Sequence, residues 1–441
     1  MKAKGQILFL ALCITAALLM GCSKKEATGT GSKSGNLTIW STMSQPERVK
    51  SFQDLANAYM AENPGVKITI EIMPWTGTMD KVMAAHMAGN PPDIIVQGSG
   101  WPQTLAGAGA LLETSSLIDQ CGGKSAFLKM ALDLGAYEDG LYAVPLYTTP
   151  YITLYRKSYL EEAGITKIPT TWEEFYDMCV KVTDKSKNRY GFGAPMADVH
   201  SWKAIWVFLQ GNDINLVNVD KDGNWYTDID ATDRAAIIET YDYLYRLFRD
   251  ASPEGMIGYT QEQVRELVAN GTLMSRIDTP ELYYDLRTKG DAAGFADVAY
   301  FPFPGRKRIG GCTGAVTLGV PSKGNTALAS DYIKWMYTGD RMVDFYASYP
   351  YAMFPVKNEM YASVDYRNKL PEELKPMLPD MALEVLSHAT PLMMSNGPFP
   401  FAGEVESRSI FAIPLANMFT KGNTAEQAAD ELIREVNALL N

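Results

Sequence analysis

The sequence predicts an α/β protein of more than one unit, its first sheet open and covered by helices on both faces. Three observations point there. Strand-like and helix-like segments alternate between Leu37 and Val96, a second set of such segments begins near Pro145, and 441 residues leave room for two or three domains at roughly 150 residues each. Leu37-Thr38-Ile39-Trp40 is a short β-rich run. Pro46 then stands where the first turn of a helix would begin. Val49, Phe52, Leu55, Ala56, Tyr59 and Met60 recur at helical spacing until Asn63-Pro64-Gly65 stops the pattern. Val66, Ile68, Ile70 and Ile72 alternate as a strand does. A helix over residues 79–88 runs into Asn90-Pro91-Pro92, and Asp93-Ile94-Ile95-Val96 is a short buried strand. Repeats of this kind connect by right-handed crossovers, and ligands bind beyond the carboxyl ends of the strands. Residues 41–45, 74–78 and 97–103 are therefore the segments to watch.

In the second unit, residues 151–155 read as a strand crossing between units. Thr171-Trp172-Glu173-Glu174 has capping-box spacing and opens a helix through Val182. Further helices are expected over 202–209, 232–248 and 261–269, and strands over 273–277, 298–301 and 315–319. Three helices, 327–337, 340–349 and 424–440, are expected to finish the chain.

Composition narrows the function. The net charge is −11, and the main basic run is the short Arg306-Lys307-Arg308, too little for a nucleic-acid footprint. Three histidines and no C-x-x-C pair leave little room for a metal site, and no cofactor is expected. No stretch beyond residue 21 is apolar enough for a membrane span. Enzyme signatures are missing too: there is no G-x-S-x-G, no H-E-x-x-H and no P-loop. Gly98-Ser99-Gly100 opens like a dinucleotide fingerprint, but Pro102-Gln103 breaks it. Asn218-x-Asp220-x-Asp222-Gly223 opens like a calcium loop, yet its twelfth position is Ile229 where a glutamate belongs, so a hairpin with an Asp-Gly turn is expected instead. A surface glycosidase, which needs only two facing carboxylates, stays as an alternative.

Residues 1–21 read as a secretory signal, with Lys2 and Lys4 ahead of an apolar core over 7–20. Leu19-Met20-Gly21-Cys22 resembles a bacterial lipobox, Met20 replacing the usual small residue. The resemblance implies cleavage before Cys22 and acylation of that cysteine, with 22–35 as a lipidated, flexible tether rich in Ser, Gly, Thr and Lys. Cys121, Cys179 and Cys312 then remain, enough for one disulfide at most.

The ordered set of motifs resembles bacterial extracellular solute-binding proteins of the sugar-binding type served by ABC importers. Its pieces are Leu37-Thr38-Ile39-Trp40-Ser41, the Phe-x-x-Leu-Ala-x-x-Tyr-x-x-Glu-Asn-Pro run from Phe52, Pro92-Asp93-Ile94-Ile95 and Gly140-Leu141-Tyr142-Ala143-Val144-Pro145. Leu154-Tyr155-Arg156-Lys157, Pro169-Thr170-Thr171-Trp172-Glu173-Glu174-Phe175, Pro321-Ser322-Lys323-Gly324 and Gly422-Asn423-Thr424 follow in order. The resemblance implies a periplasmic-binding-protein-like fold: two hinged lobes, each an open sheet flanked by helices. It implies an N-terminal lobe of 36–146 with 273–335 and a C-terminal lobe of 147–272 with 336–441. It further implies a monomeric, non-catalytic, membrane-anchored protein of the cell envelope. Such a protein captures a mono- or oligosaccharide and delivers it to the transmembrane subunits of a permease. A polyol, a glycerol phosphoester or a peptide is the alternative ligand. The chain departs from the family pattern at Ile277-Asp278-Thr279-Pro280 and at Gly310-Gly311-Cys312-Thr313-Gly314, so ligand choice is not carried over.

A sugar offers C–H faces that stack on aromatic rings and hydroxyls that pair with polar side chains. Trp75 and Trp101 lie in post-strand loops, with Ser41, Gln45, Gln97 and Ser99 as polar partners on the same edge. For each of these, core packing or turn chemistry is the competing explanation. Tyr147 and Tyr151 flank the crossing segment. Trp202 is expected to face the ligand, and Trp206, one turn on, the core. Asp278 is the expected acid for hydroxyls. Thr313 lies in the glycine-rich departure, and Phe354, Phe399 and Phe401 sit in proline-bearing loops that would wall the cleft. An anionic ligand would want arginines or lysines in the cleft loops, and these loops contain none.

Overall fold

The computed structural model describes residues 33–440 except 76, 289, 290, 373, 376 and 377. The expected signal, Cys22 and nearly all of the tether lie outside the described residues. Strand β1 (Ser34–Ser41) turns Leu37 and Ile39 into the core. The Pro46–Glu62 helix follows, with proline in its first turn and Phe52, Leu55, Ala56 and Tyr59 on its buried face. β2 (Gly65–Ile72) runs parallel to β1 along its whole length, and β3 (Ile94–Gln97) runs parallel on the other side. This is the parallel pairing, joined through helices, that the strand–helix alternation predicts.

The remaining long strands are β4 (Val144–Arg156), β5 (Tyr190–Gly193), β6 (Leu273–Asp278), β7 (Val298–Phe301) and β8 (Cys312–Gly319). They join in the order β2-β1-β3-β8-β4-β6-β5, with β7 also on β4. β4 is the shared element. Residues 144–151 pair with β8, whereas 152–156 pair with β6 and β7. The crossing segment is therefore a single 13-residue strand, buried almost throughout, and longer than the expected 151–155.

Strand pairing corrects the expected lobe boundaries in two places. β6 and β7 join the second half of β4, and β6 also pairs with β5, so the chain returns to the first sheet at β8 and not near Leu273. The Arg341–Ser348 helix packs on the Pro46–Glu62 helix, with Phe52 and Phe345 ring centroids 5.4 Å apart, so it belongs with the first sheet and not the second. The end of the chain is also richer in helix than expected. Val364–Lys369, Leu378–His388, Ala402–Ser407 and Ala412–Thr420 stand between Arg341–Ser348 and the final Ala425–Leu440 helix.

Two local readings hold with one adjustment. Asn218–Val219 and Trp225–Tyr226 form the expected hairpin, with Gly223 at φ 85° and Asp220 Oδ1 accepting from the Asp222 and Asn224 amides. Thr171 caps the Trp172–Val182 helix by accepting from the Glu174 amide, but Glu174 reaches back to the Thr170 amide, one residue earlier than a capping box requires. Cys121, Cys179 and Cys312 are buried and free. Among the described residues no helix is long and apolar enough to cross a membrane.

Candidate ligand-binding site

A cavity of about 280 Å³ opens where β1, β2 and β3 end, facing the β4 crossing and the Trp202–Gly211 and Gln261–Ala269 helices. It falls just below the span of small-ligand pockets, roughly 300–1,000 Å³. All three post-strand loops reach it. Gln45 comes from the loop after β1, Trp75 from that after β2 and Ser99 from that after β3. Tyr147 and Tyr151 form the β4 side, and Trp202 stands on the opposite helix. These six expected residues come together at one site.

The other eight, the buried Phe399 among them, do not line the cavity. Trp101 begins the Trp101–Gly107 helix and packs into a small core with Val82 and Leu105; its ring, 5.7 Å from that of Trp75, backs that ring from behind. Ser41 is fully buried, and its Oγ accepts from the Met43 amide. Gln97 is buried against Gly319, where a Cβ would overlap its amide. Thr313 donates to the Gly314 carbonyl at 3.0 Å. Phe354 is core, its backbone bridged to Thr148. Phe401 stays exposed, its ring on the buried Phe399. Trp206 is core as expected, donating to the Thr390 carbonyl.

Asp278 requires the largest correction. It is fully buried and presents no oxygen to the cavity. Its carboxylate accepts from Arg265 Nε at 2.8 Å and Nη2 at 3.2 Å and from the Thr279 amide at 2.8 Å, and it forms an ion pair with Arg276 Nη2 at 2.8 Å. Burial alone would raise its pKa, but the two guanidiniums outweigh burial and hold it well below the usual carboxylate range. The chain of charges continues through Arg265 Nη2 to Glu281 at 3.1 Å and on to Arg48 at 3.4 Å. Tyr349 donates to Glu281 at 2.9 Å, and Arg48 lies over the rings of Tyr147 and Tyr349. Arg48, Arg265 and Glu281 all line the cavity. This network ties the start of the Pro46–Glu62 helix to the Gln261–Ala269 and Glu281–Thr288 helices.

Asp285 stands at the edge of the network, 3.9 Å from Arg265, and burial pushes its carboxyl up to about 6. A carboxyl raised in the folded state contributes stability that is present below its unfolded pKa and lost as pH rises through the folded value. Between about pH 4 and 6 the wild type should therefore lose stability relative to Asp285→Asn, a difference that urea melts at stepped pH would measure.

On the opposite wall, Lys203 Nζ meets His200 Nδ1 at 2.6 Å and lies over the ring of Tyr151 at 4.7 Å. Trp202 Nε1 donates to Glu406 Oε1 at 3.2 Å. Burial, reinforced by the Lys203 charge, lowers the His200 pKa far enough to keep the imidazole neutral. Sequence reading missed Arg48, Lys203, Arg265, Glu281 and Glu406 because none lies in a post-strand loop. The cue that was available is His200-Ser201-Trp202-Lys203, three polar groups and an indole within four residues at a helix start.

Gly98 positions Trp75. A Cβ at residue 98 would overlap the indole. Gly98→Ala is expected to displace that ring and shift the near-UV circular dichroism, while the far-UV spectrum stays unchanged.

An open α/β sheet pair sharing a crossing strand, with a polar and aromatic cavity at the strand ends, is the architecture of a two-lobed binding protein. Residues 44–340 match the description "Bacterial extracellular solute-binding protein", and the chain belongs to that family. It is similar in fold to the GacH receptor of Streptomyces glaucescens, which was solved unliganded and with acarbose: TM-score 0.76, 18% identity, 92% of this chain and 99% of that one. It is likewise similar to an ABC transporter solute-binding protein of Thermotoga lettingae bound to α-D-tagatose: TM-score 0.73, 20% identity, 92% and 100% covered. A putative binding protein of Brucella abortus is 25% identical over 237 residues, 52% of this chain and 54% of that protein. The chain thus spans about half the length of that relative.

Proposed function

We propose that this chain is the receptor of an ABC importer, capturing a neutral carbohydrate between its lobes and presenting it to the transmembrane subunits of a permease. The single observation that carries this reading is the cavity with an indole on each side, Trp75 after β2 and Trp202 on the facing helix, and polar groups between them. Rings supply the faces on which a sugar's C–H surface packs, and polar groups that would be left unpaired by a wrong ligand supply selectivity. The tagatose and acarbose complexes of similarly folded proteins support a sugar-like ligand. A ligand that touches both walls binds only the closed form, and so shifts the population toward closure.

In this reading the first lobe comprises residues 36–146 with about 312–370, and the second comprises the segments that pack on the other half of β4. The protein works as a monomer, catalyses nothing, needs no cofactor and is held at the membrane by lipid on Cys22. Metabolic labelling with a palmitate analogue tests the anchor: incorporation should vanish in Cys22→Ser. Calorimetric titration and thermal melts against monosaccharides, disaccharides, polyols and peptides test the ligand. A sugar at 100 times its Kd should add about 2.7 kcal/mol of stability. A response to peptides alone would contradict the reading.

A further inference from the structure

Resting on the carbohydrate reading, we propose that Lys203 and Glu406 are the specificity-determining pair of the cavity. Together they hold one ligand hydroxyl, which accepts from the ammonium and donates to the carboxylate, so the ligand is uncharged at that position.

The other charges on the cavity wall already have partners. Glu281 sits between Arg265 at 3.1 Å and Arg48 at 3.4 Å, and the exposed Glu262 lies 3.7 Å from Arg265. Lys203 and Glu406 both line the cavity. Among the described residues no carboxylate stands within 4.0 Å of the Lys203 ammonium. Among the described residues each has one hydrogen bond to protein, Lys203 with His200 and Glu406 with Trp202. An ammonium carries three donors and a carboxylate about four acceptor positions, so both have capacity left over. Unmet capacity is costly where Lys203 stands, because it is only 9% exposed.

The neutral His200 accepts one hydrogen bond from the ammonium at Nδ1 and supplies no charge, while the Tyr151 and Trp202 rings, 4.7 and 5.8 Å from Nζ, fix the lysine in place. Burial pushes the Lys203 pKa down and the Glu406 pKa up, and each charge partly offsets that push on the other, yet the two do not meet within 4.0 Å. A hydroxyl is a neutral group that accepts and donates at the same oxygen. A ligand carboxylate would satisfy Lys203 but be repelled by Glu406, and a ligand amine would meet the reverse.

Isothermal titration at pH 7 tests the pair. The probes are D-glucose, D-galactose, D-mannose, D-xylose, maltose and cellobiose, with D-glucuronate and D-galacturonate beside their neutral parents. The proteins are the wild type, Lys203→Met, Glu406→Gln and the double variant. The expected result is binding of a neutral sugar, at least a tenfold loss in each single variant, and little further loss in the double, because one hydroxyl serves both groups. Melting of each unliganded variant checks that the fold persists. Preference for a uronate over its parent, additive losses, or single variants within threefold of the wild type would overturn the pair and leave the carbohydrate reading standing. Flat titrations of the wild type with every sugar would overturn both.

Discussion

Replacing Arg265 with methionine is expected to lower the free energy of unfolding by about 3–5 kcal/mol, the usual cost of removing one partner from a buried charge pair. Arg265 holds Asp278 through two nitrogens and Glu281 through one, and both carboxylates are deeply buried. Without it, Asp278 keeps only Arg276 and the Thr279 amide, and Glu281 keeps Arg48 at 3.4 Å and Tyr349. The pH dependence has a definite sign. Both carboxyls titrate lower in the folded protein than in the unfolded chain, where they titrate near pH 4. The stability they contribute is therefore present above that value and is lost as pH falls through their folded pKa. The gap between wild type and Arg265→Met should be full at pH 7 and narrow progressively below about pH 4. Urea melts at both pH values measure it. A loss below about 1 kcal/mol at pH 7, the scale of an exposed ion pair, would show that the network is hydrated and not buried.

Trp75→Ala is expected to weaken sugar binding about 10- to 100-fold, or about 1.4–2.8 kcal/mol. The indole is half-buried over Gly98 and backed by Trp101, so it is already held in place before ligand arrives. A ring that loses little freedom on binding returns most of its contact energy as affinity. Its removal also leaves a gap that the small Gly98 cannot fill. Titration of wild type and variant with the same sugar measures the change, and melting of the unliganded variant checks that the fold persists. A loss under threefold would mean that the ligand sits elsewhere in the cavity.

The first sheet and its binding edge were legible because they rest on short-range regularities. Pro46 at a helix start, the alternation of Val66 to Ile72, and the rule placing ligands at strand ends led to Gln45, Trp75 and Ser99 without tertiary information. Trp101 misled because it is the first residue of a helix, with Pro102 in its first turn, and the indole is buried instead of facing the loop edge. Asp278 misled because a short buried run such as Leu273 to Asp278 does not announce that a guanidinium from a preceding helix will pair with its last residue. The same ambiguity hid which sheet that strand joins, since an apolar strand reads alike in either lobe. The helices between 364 and 420 are only 6 to 11 residues long, too short for a clear period among so many prolines and methionines. Lys203 and Glu406 lie 203 residues apart and become neighbours only through the fold.

The central claim is that one guest is held between walls contributed by both halves of the molecule. A crystal structure with the best-binding sugar from the titration panel tests it most directly. The ring should lie in the cavity with Trp75 and Trp202 both in contact, within about 4.5 Å. A sugar seated on the outer surface, or gripped by one wall while the opposite indole stays out of reach, would contradict it.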